Sequence, residues 1–191
     1  MKVVGISTSP RKDGNTALII KTVFAELEKH GIQTELLQTS GQRVRGCMAC
    51  YGCFKNQDRQ CVIKDDFVND YIAKMAAADG IILGSPTYFA DVTTEMKALI
   101  DRAGLVSKAN DYLFKYKAGA AVTAVRRGGA IHAFDTMYHF LHYNQMFLVG
   151  ATYWNMVYGR EIGEVAKDDE GMANMRALGE NMAWLLKKIN A

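Results

Sequence analysis

The sequence predicts an α/β fold in which helices cover both faces of a doubly wound, five-stranded parallel sheet with strand order 2-1-3-4-5. Short apolar runs alternate along the chain with segments whose apolar residues recur at helical spacing. Alternation of this kind implies right-handed crossovers between parallel strands. The chain has 191 residues, of which 49% are apolar, so it is long enough for one domain with a sizeable core.

The five predicted strands differ in apolar character, which indicates where each belongs in the sheet. The first and third are apolar on both faces, as the central strands of a parallel sheet are. The second is more polar and belongs near a sheet edge. The fourth and fifth are apolar runs in the second half of the chain. The strands are predicted at residues 2–7, 33–38, 80–85, 118–125 and 147–153.

The predicted helices follow the strands, and each carries its apolar residues on one face. In the first helix Ile19, Val23 and Leu27 share a face, and Gly31 supplies the stop signal at its C-terminus. The second opens at two consecutive aspartates, and the last is a long amphipathic segment that closes the chain. The helices are predicted at about residues 16–30, from 65 onwards, and at 93–103, 130–143 and 170–189.

The charge distribution excludes some classes of partner. The 23 Lys and Arg residues nearly balance the 20 Asp and Glu residues, and both kinds are spread along the chain. A basic patch for nucleic acid or for an anionic membrane surface is therefore not expected. The N-terminus reads as a strand rather than a secretory leader, and no apolar run approaches the roughly 20 residues of a membrane span. We expect a cytoplasmic protein without nucleic-acid or membrane partners.

The turn after the first strand has the composition of a phosphate-binding loop. A helix N-terminus presents unpaired N–H groups and the positive end of the helix dipole, and hydroxyl, amide and guanidinium side chains add donors. The loop lacks both the Gly-Lys-Ser/Thr ending of triphosphate loops and the G-x-G-x-x-G of dinucleotide sites, so a terminal monophosphate such as that of FMN fits better. The alternative is that these side chains merely cap the first helix. They are Ser7, Thr8, Ser9, Arg11, Asn15 and Thr16.

The loop after the third strand lies beside the phosphate loop in the predicted topology. In a sheet of this order, ligands bind outside the carboxyl ends of strands 1 and 3. Pro86 stiffens the turn, which leaves Thr87 and Tyr88 to present backbone groups to a flat heterocycle. The ring of Tyr88 or Phe89 is expected to pack against that heterocycle. The alternative is an ordinary turn with one aromatic residue in the core.

Four cysteines, all within an insertion-like segment at 39–64, form the pattern C-x2-C-x2-C-x7-C. In a reducing compartment such clustering favours metal binding or redox chemistry over disulfides, and a [4Fe–4S] cube needs four thiolates. A four-thiolate zinc site and a set of metal-free thiols are the alternatives. The C-x5-R spacing of phosphatases also occurs, but Asp58 within it would repel phosphate. The cysteines are Cys47, Cys50, Cys53 and Cys61.

Taken together, these motifs resemble the NADPH-dependent FMN reductase family, which is flavodoxin-like. The resemblance lies in Ser9-Pro10-Arg11 with Gly14-Asn15-Thr16, in residues 84–89, and in residues 97–102 that follow. Within the family the chain is most similar to the iron–sulfur flavoprotein branch, whose members carry a compact cysteine motif after strand 2. The resemblance implies three groups of cofactor contacts. They are Ser9, Arg11, Asn15 and Thr16 for the FMN phosphate, Pro86, Thr87, Tyr88 and Phe89 for the ring and ribityl chain, and Arg126, Gly128 and Gly129 after strand 4.

The same resemblance implies an FMN-dependent oxidoreductase, a homodimer or homotetramer, whose flavin carries the chemistry without a catalytic side chain. Electrons would pass between a reduced donor, NAD(P)H or a ferredoxin, and an acceptor, with a [4Fe–4S] cluster on the four cysteines. We expect residues 1–191 to form a single FMN-binding domain with the cysteine-rich insertion at 39–64. The alternative is a flavodoxin-like binding protein with a structural zinc site and no redox turnover.

Overall fold

The computed structural model describes residues 1–190 and confirms the predicted sheet. The strands are β1 (Lys2–Ser7), β2 (Gln33–Gln38), β3 (Gly80–Pro86), β4 (Ala118–Val125), β5 (Phe147–Leu148) and β6 (Met156–Tyr158). They are ordered β2-β1-β3-β4-β5, and β6 also pairs with β4. Every pairing is parallel.

All five predicted helices are present, but the prediction that the second opens at residue 65 is wrong, because it begins at Val68. The helices are α1 (Asn15–Lys29), α2 (Gly52–Asn56), α3 (Val68–Ala77), α4 (Thr94–Ala109), α5 (Ala130–Tyr143) and α6 (Asp169–Ile189). The short α2, inside the cysteine segment, and a 3₁₀ turn at Glu164–Lys167 were not predicted. The prediction that α4 stops at residue 103 is wrong, because Val106 and Ala109 continue its buried face.

The predicted fifth strand at 147–153 is also wrong in extent, since only Phe147–Leu148 forms a strand (β5) and the chain rejoins the sheet at Met156–Tyr158 (β6), beyond the predicted range. The former pairs with the beginning of β4 and the latter with its end. Between them the chain leaves the sheet, and the side chain of Asn174 on α6 takes over its backbone groups. The Asn174 Oδ1 accepts from the Tyr153 N–H at 2.8 Å, and its Nδ2 donates to the carbonyls of Tyr153 and Trp154. These polar groups are thus satisfied without a β4 partner.

Two apolar layers hold the sheet between the helices. Successive strand residues point to opposite faces, so Ile81 and Leu83 pack under α3, α4 and α5, whereas Ile82 packs under α1 and α6. This arrangement leaves the carboxyl ends of β1, β3 and β4 together at one end of the sheet. Among residues 1–190, no helix combines the length and apolar character needed to span a bilayer.

Candidate functional site

A cleft opens at the carboxyl ends of β1 and β3, where the predicted topology expects a ligand. Most of the predicted cofactor residues line it, and the exceptions are Phe89, Gly128 and Gly129. Gly159 and Arg160, which follow β6, also line the cleft and were not predicted. The lining residues are Ser9, Pro10, Arg11, Asn15, Thr16, Pro86, Thr87, Tyr88, Ala124, Arg126, Gly159 and Arg160.

The N-terminus of α1, which forms one wall of the cleft, has no cap. Its N-cap residue is Gly14, no side chain accepts a hydrogen bond there, and the first turn contains no acidic residue. By contrast, the Thr93 hydroxyl caps α4 and the Asp168 carboxylate caps α6. The interpretation that the loop side chains merely cap the first helix is therefore wrong. The first-turn N–H groups and the positive end of the α1 dipole remain available to an anion.

Two predicted phosphate residues form hydrogen bonds to a segment that we name the strap, residues 159–163. The Asn15 amide uses both of its ends: Nδ2 donates to the Glu161 carbonyl and Oδ1 accepts from the Gly163 N–H, each at 2.9 Å. The Arg11 Nη1 donates to the Arg160 carbonyl at 3.0 Å. The strap therefore lies against the phosphate loop. No local sequence signal near β6 points to this contact, because its partners are about 150 residues away in the chain.

The second wall of the cleft offers side chains rather than backbone donors. The Thr87 N–H donates to the Ala124 carbonyl and the Tyr88 N–H donates to the Asp91 carbonyl, so neither amide is free. The Thr87 hydroxyl oxygen, in contrast, is buried and has no hydrogen-bond partner among residues 1–190. The Tyr88 ring is half-exposed. Phe89 occupies the tip of the turn at a φ of 45°, with its side chain fully exposed to solvent.

The loop after β4 contributes only Arg126 to the cleft. Gly129 precedes α5 at a φ of +86°, and a Cβ there would lie 3.0 Å from the Cα of Ala90. Gly129 is therefore required for close packing between this loop and the turn at residues 88–91. Nothing lies within 4 Å of the Cβ position at Gly128, so the structure gives that glycine no packing role.

The four cysteines lie around one small cavity of about 20 Å³, which shares no lining residue with the cleft. Cys47 and Cys50 are exposed, Cys53 is buried and Cys61 is half-buried; all four are free thiols. Within residues 1–190, no three Cys, His, Asp or Glu side chains are grouped closely enough to hold a metal ion. Burial raises the pKa of the Cys53 thiol, and negative charge on Cys61 and Cys47 raises it further.

A buried ion pair adjoins the cysteines, and the sequence analysis did not predict it. Arg102, from α4, is 1% exposed, and its guanidinium pairs with Asp66 and donates from Nε to the Cys61 Sγ at 3.3 Å. Burial by itself raises the pKa of Asp66, but the hydrogen bonds it accepts, first that from Arg102, bring it below its usual value. The sequence does contain a signal for this ion pair. Arg102 lies on the apolar face of α4 beside Leu99 and Ala103, where an arginine needs a buried partner.

Sequence comparison identifies the family. The profile of the NADPH-dependent FMN reductases matches residues 1–161. The chain belongs to this family. Similar to the chain are an iron-sulfur flavoprotein of Methanocaldococcus jannaschii, 34% identical over 194 residues that cover 99% of each chain, and an iron-sulfur flavoprotein of Methanosarcina thermophila, 37% identical over 152 residues that cover 78% of each. The predicted family is thus confirmed.

Solved structures confirm the flavodoxin-like fold of this FMN reductase family member. The flavodoxin-like WrbA-like protein of Agrobacterium tumefaciens superposes with a TM-score of 0.65 at 16% identity, over 98% of each chain. RosB, crystallised with 8-demethyl-8-formylriboflavin-5'-phosphate, superposes with a TM-score of 0.75 at 15% identity, over 100% of this chain and 80% of its own. At such identities the likeness concerns the fold alone.

Charged residues of both signs surround the mouth of the cleft in this family member. Arg126 and Arg160 line both the cleft and an adjoining open hollow of about 650 Å³. The hollow also contains Lys167, together with the carboxylates of Glu161, Glu164 and Asp168. The Arg160 Nε lies 3.3 Å from a Glu161 carboxylate oxygen, but both side chains are largely exposed, so this ion pair contributes little to stability. Arg126 and Arg160 thus line the same cleft as Asn15 and Thr16 at the start of α1.

Proposed function

We propose that this chain binds FMN in the cleft and passes electrons from NAD(P)H or a reduced ferredoxin to an acceptor, with a [4Fe–4S] cluster on the four cysteines as a second redox group. The observation that carries the proposal is the uncapped, acid-free N-terminus of α1, which lines a cleft at the switch point of an FMN reductase family fold. Such a terminus favours a phosphate.

The residues of the cleft fit FMN. The first-turn N–H groups of α1, with Ser9, Arg11 and Thr16, would hold the phosphate, while Asn15 keeps the strap in place. The unpaired Thr87 hydroxyl and the half-exposed Tyr88 ring would face the rest of the cofactor. When bound, FMN supplies hydride transfer and one-electron transfer, so no side chain has to act as acid, base or nucleophile.

The cysteines fit a four-thiolate cluster in number and in the chemistry of their side chains. All four thiols line one cavity, and the relatives of this chain bear the name iron-sulfur flavoprotein. A Cβ at Gly52 would clash with the Val62 Cγ1, so this glycine lets the chain around residue 52 approach the chain around residue 62. When bound, a [4Fe–4S] cluster exchanges single electrons. The metal ions themselves would draw the sulfurs together, as metal sites commonly form on binding.

Helix α4 links the two proposed sites. At its start the Thr93 hydroxyl donates to the Thr8 hydroxyl oxygen at 2.9 Å, beside the phosphate loop. Arg102, bonded to Cys61, follows about 14 Å further along the helix axis at 1.5 Å per residue. One rigid element therefore fixes the spacing between the flavin cleft and the cysteines, which supports electron exchange within a single chain.

The test is anaerobic purification followed by flavin, iron, acid-labile sulfide and zinc determination on one sample. We expect about one FMN and about four iron and four sulfide ions per chain. Cys50→Ser should lose the iron and sulfide but keep FMN, whereas Lys55→Gln, an exposed change on α2, should keep both. A protein that binds no added FMN would contradict the flavin proposal. Stoichiometric zinc without iron would instead support the binding protein with a structural zinc site.

The electron donor is tested on the same preparation. We expect anaerobic NADH, NADPH or reduced ferredoxin to bleach the flavin absorbance, and the rates identify which donor is preferred. If none of the three reduces the bound flavin, the proposed donor class is wrong. Arg126 and Arg160, which line both the cleft and the adjoining hollow, are the residues through which a nucleotide phosphate would be attracted.

We further propose that the chain is one FMN-binding domain, with the insertion at 39–64, and that it assembles as a homodimer or homotetramer. Exposed aromatic side chains near β6 support assembly, because large exposed apolar groups are common in subunit contacts. They are Tyr153, Trp154 and Tyr158, each about half exposed. Light scattering on the purified holoprotein would measure the subunit number, and a monomer at micromolar concentration would contradict this proposal.

A further inference from the structure

Arg102 contacts the cysteine segment on both sides of its four cysteines, and we call these two sides its arms. Its Nη1 donates to the Arg45 carbonyl at 3.1 Å and its Nη2 donates to the Ile63 carbonyl at 3.1 Å. Arg45 lies two residues before the first cysteine, and Ile63 lies two residues after the last. A single guanidinium therefore joins the two arms of the segment, and its Nε reaches the sulfur of Cys61 between them.

The charge of Arg102 is balanced within the same cluster of contacts. The Asp66 carboxylate pairs with the Arg102 Nη1, accepts from the Arg45 N–H at 3.3 Å and accepts from the Val68 N–H at 3.2 Å. Because the side chains of Arg102 and Asp66 are 0% and 3% exposed, neither can exchange its partner for water. The planar fork of an arginine reaches four acceptors at once, which an ammonium group on a lysine does not.

We propose that Arg102 is the positioning residue of the cysteine segment, holding both of its arms and the Cys61 sulfur ready for the iron–sulfur cluster. This inference rests on the proposed function for the identity of the ligand. Four thiolates and their metal ions carry net negative charge, and a buried N–H donor aimed at a ligand sulfur stabilises the more negative, reduced form. Arg102 therefore also raises the reduction potential of the bound cluster.

The first arm of the test uses the protein without metal. Hydrogen–deuterium exchange is measured on peptides covering residues 43–48 and 60–66 in the wild type, Arg102→Lys and the double variant Arg102→Gln/Asp66→Asn. The double variant removes both charges, so it keeps the test valid if a lone buried charge prevents folding. We expect exchange in both peptides to be at least about tenfold faster in each variant, since charged hydrogen bonds are lost. Lys97→Gln, exposed on the same helix, is the control.

The second arm measures the reduction potential of the reconstituted cluster by anaerobic titration. We expect a lower potential in both Arg102 variants than in the wild type and in Lys97→Gln, a change that a purely structural role would not produce. Unchanged exchange and unchanged potential in Arg102→Lys would overturn the inference. If the wild type takes up no iron or sulfide, the cluster part of the proposed function fails, and unaltered exchange in the variants would separately refute the positioning role.

Discussion

The phosphate loop and the cysteine segment are both predicted binding sites, but the structure prepares them differently. The phosphate loop owes its character to backbone geometry, since an uncapped helix start supplies the N–H groups. The cysteine segment depends on side chains, and its four thiols surround a cavity of about 20 Å³, about the space of one water molecule. The N–H groups of the first are fixed by folding alone, whereas the proposed cluster would have to bring the sulfurs of the second together.

The difference follows from how firmly each set of groups is held in position when no ligand is bound. Backbone N–H groups at a helix start are fixed by the helix and keep their direction in the empty protein. Thiols form only weak hydrogen bonds, and thiolates repel one another, so in the absence of a metal these groups have little tendency to come together. The protein can, however, fix the backbone on either side of the cysteines before any ligand binds. The buried pair of Arg102 and Asp66 does so, and we call this pair and the backbone that it holds the frame.

The largest expected effect is on that frame. Asp66→Asn leaves the buried guanidinium of Arg102 without its counter-charge, so the free energy of unfolding should fall by about 3 kcal/mol. Chemical denaturation of the metal-free protein measures this loss, with Asp101→Asn as an exposed control on α4. FMN affinity should stay within about twofold of the wild type. A comparable loss of FMN affinity would show that the two regions are one coupled site.

The loss of stability in Asp66→Asn should depend on pH. Because the pKa of Asp66 is lowered in the folded protein, its ionised form stabilises the fold at any pH above the unfolded value of about 3.9. That contribution is lost as pH falls through the lower, folded pKa. The stability difference between wild type and Asp66→Asn should therefore be constant from about pH 7 to pH 5 and shrink below about pH 4. A difference that shrinks already between pH 7 and pH 5 would mean that another group is responsible.

The next effect belongs to the phosphate loop. Asn15→Asp keeps the acceptor for the Gly163 N–H but loses the donor to the Glu161 carbonyl, and it places a negative charge where the phosphate would bind. FMN affinity should fall by about 30-fold, equivalent to about 2 kcal/mol. Isothermal titration measures it, with Asn181→Asp on α6 making the same charge change away from the cleft. Iron content should not change, and its loss would break the separation of the two regions.

The sequence predicted the fold well where one cause acts locally. Apolar runs and helical spacing located β1 to β4, α1 and α5, because each element buries a face that its own residues define. The fifth strand was predicted wrongly, because its interruption depends on Asn174, a residue about 20 positions further along the chain. The end of α4 was set by packing that periodicity over a short window did not capture.

The same limit applies to the site. The loops after β1 and β3 were predicted because topology brings them together and their composition shows it. The strap was not predicted, since its contacts to Arg11 and Asn15 join distant parts of the chain. Phe89 was expected to line the cleft, but two left-handed residues in its turn direct the side chain to solvent. A pattern of residue types does not encode that direction.

The smallest effect gives the most selective test of the cleft. Thr87→Val removes a buried hydroxyl that has no partner in the described part of the chain, so the metal-free and flavin-free protein should lose no stability. If that hydroxyl is reserved for the cofactor, FMN affinity should fall about fivefold, close to 1 kcal/mol.

Thr123→Val is the matched control for this change. Thr123 lies in β4, its hydroxyl is equally buried and unpaired among residues 1–190, and it does not line the cleft. Equal FMN affinities for the two valine variants would show that the unpaired Thr87 hydroxyl makes no contribution to FMN binding. A loss confined to Thr87→Val would mean that the second wall is prepared for its ligand through a side chain, as the α1 terminus is through its backbone. Both walls of the cleft would then offer groups that are in position before the ligand binds. The two regions would differ in that respect, and not in whether backbone or side chains bind the ligand.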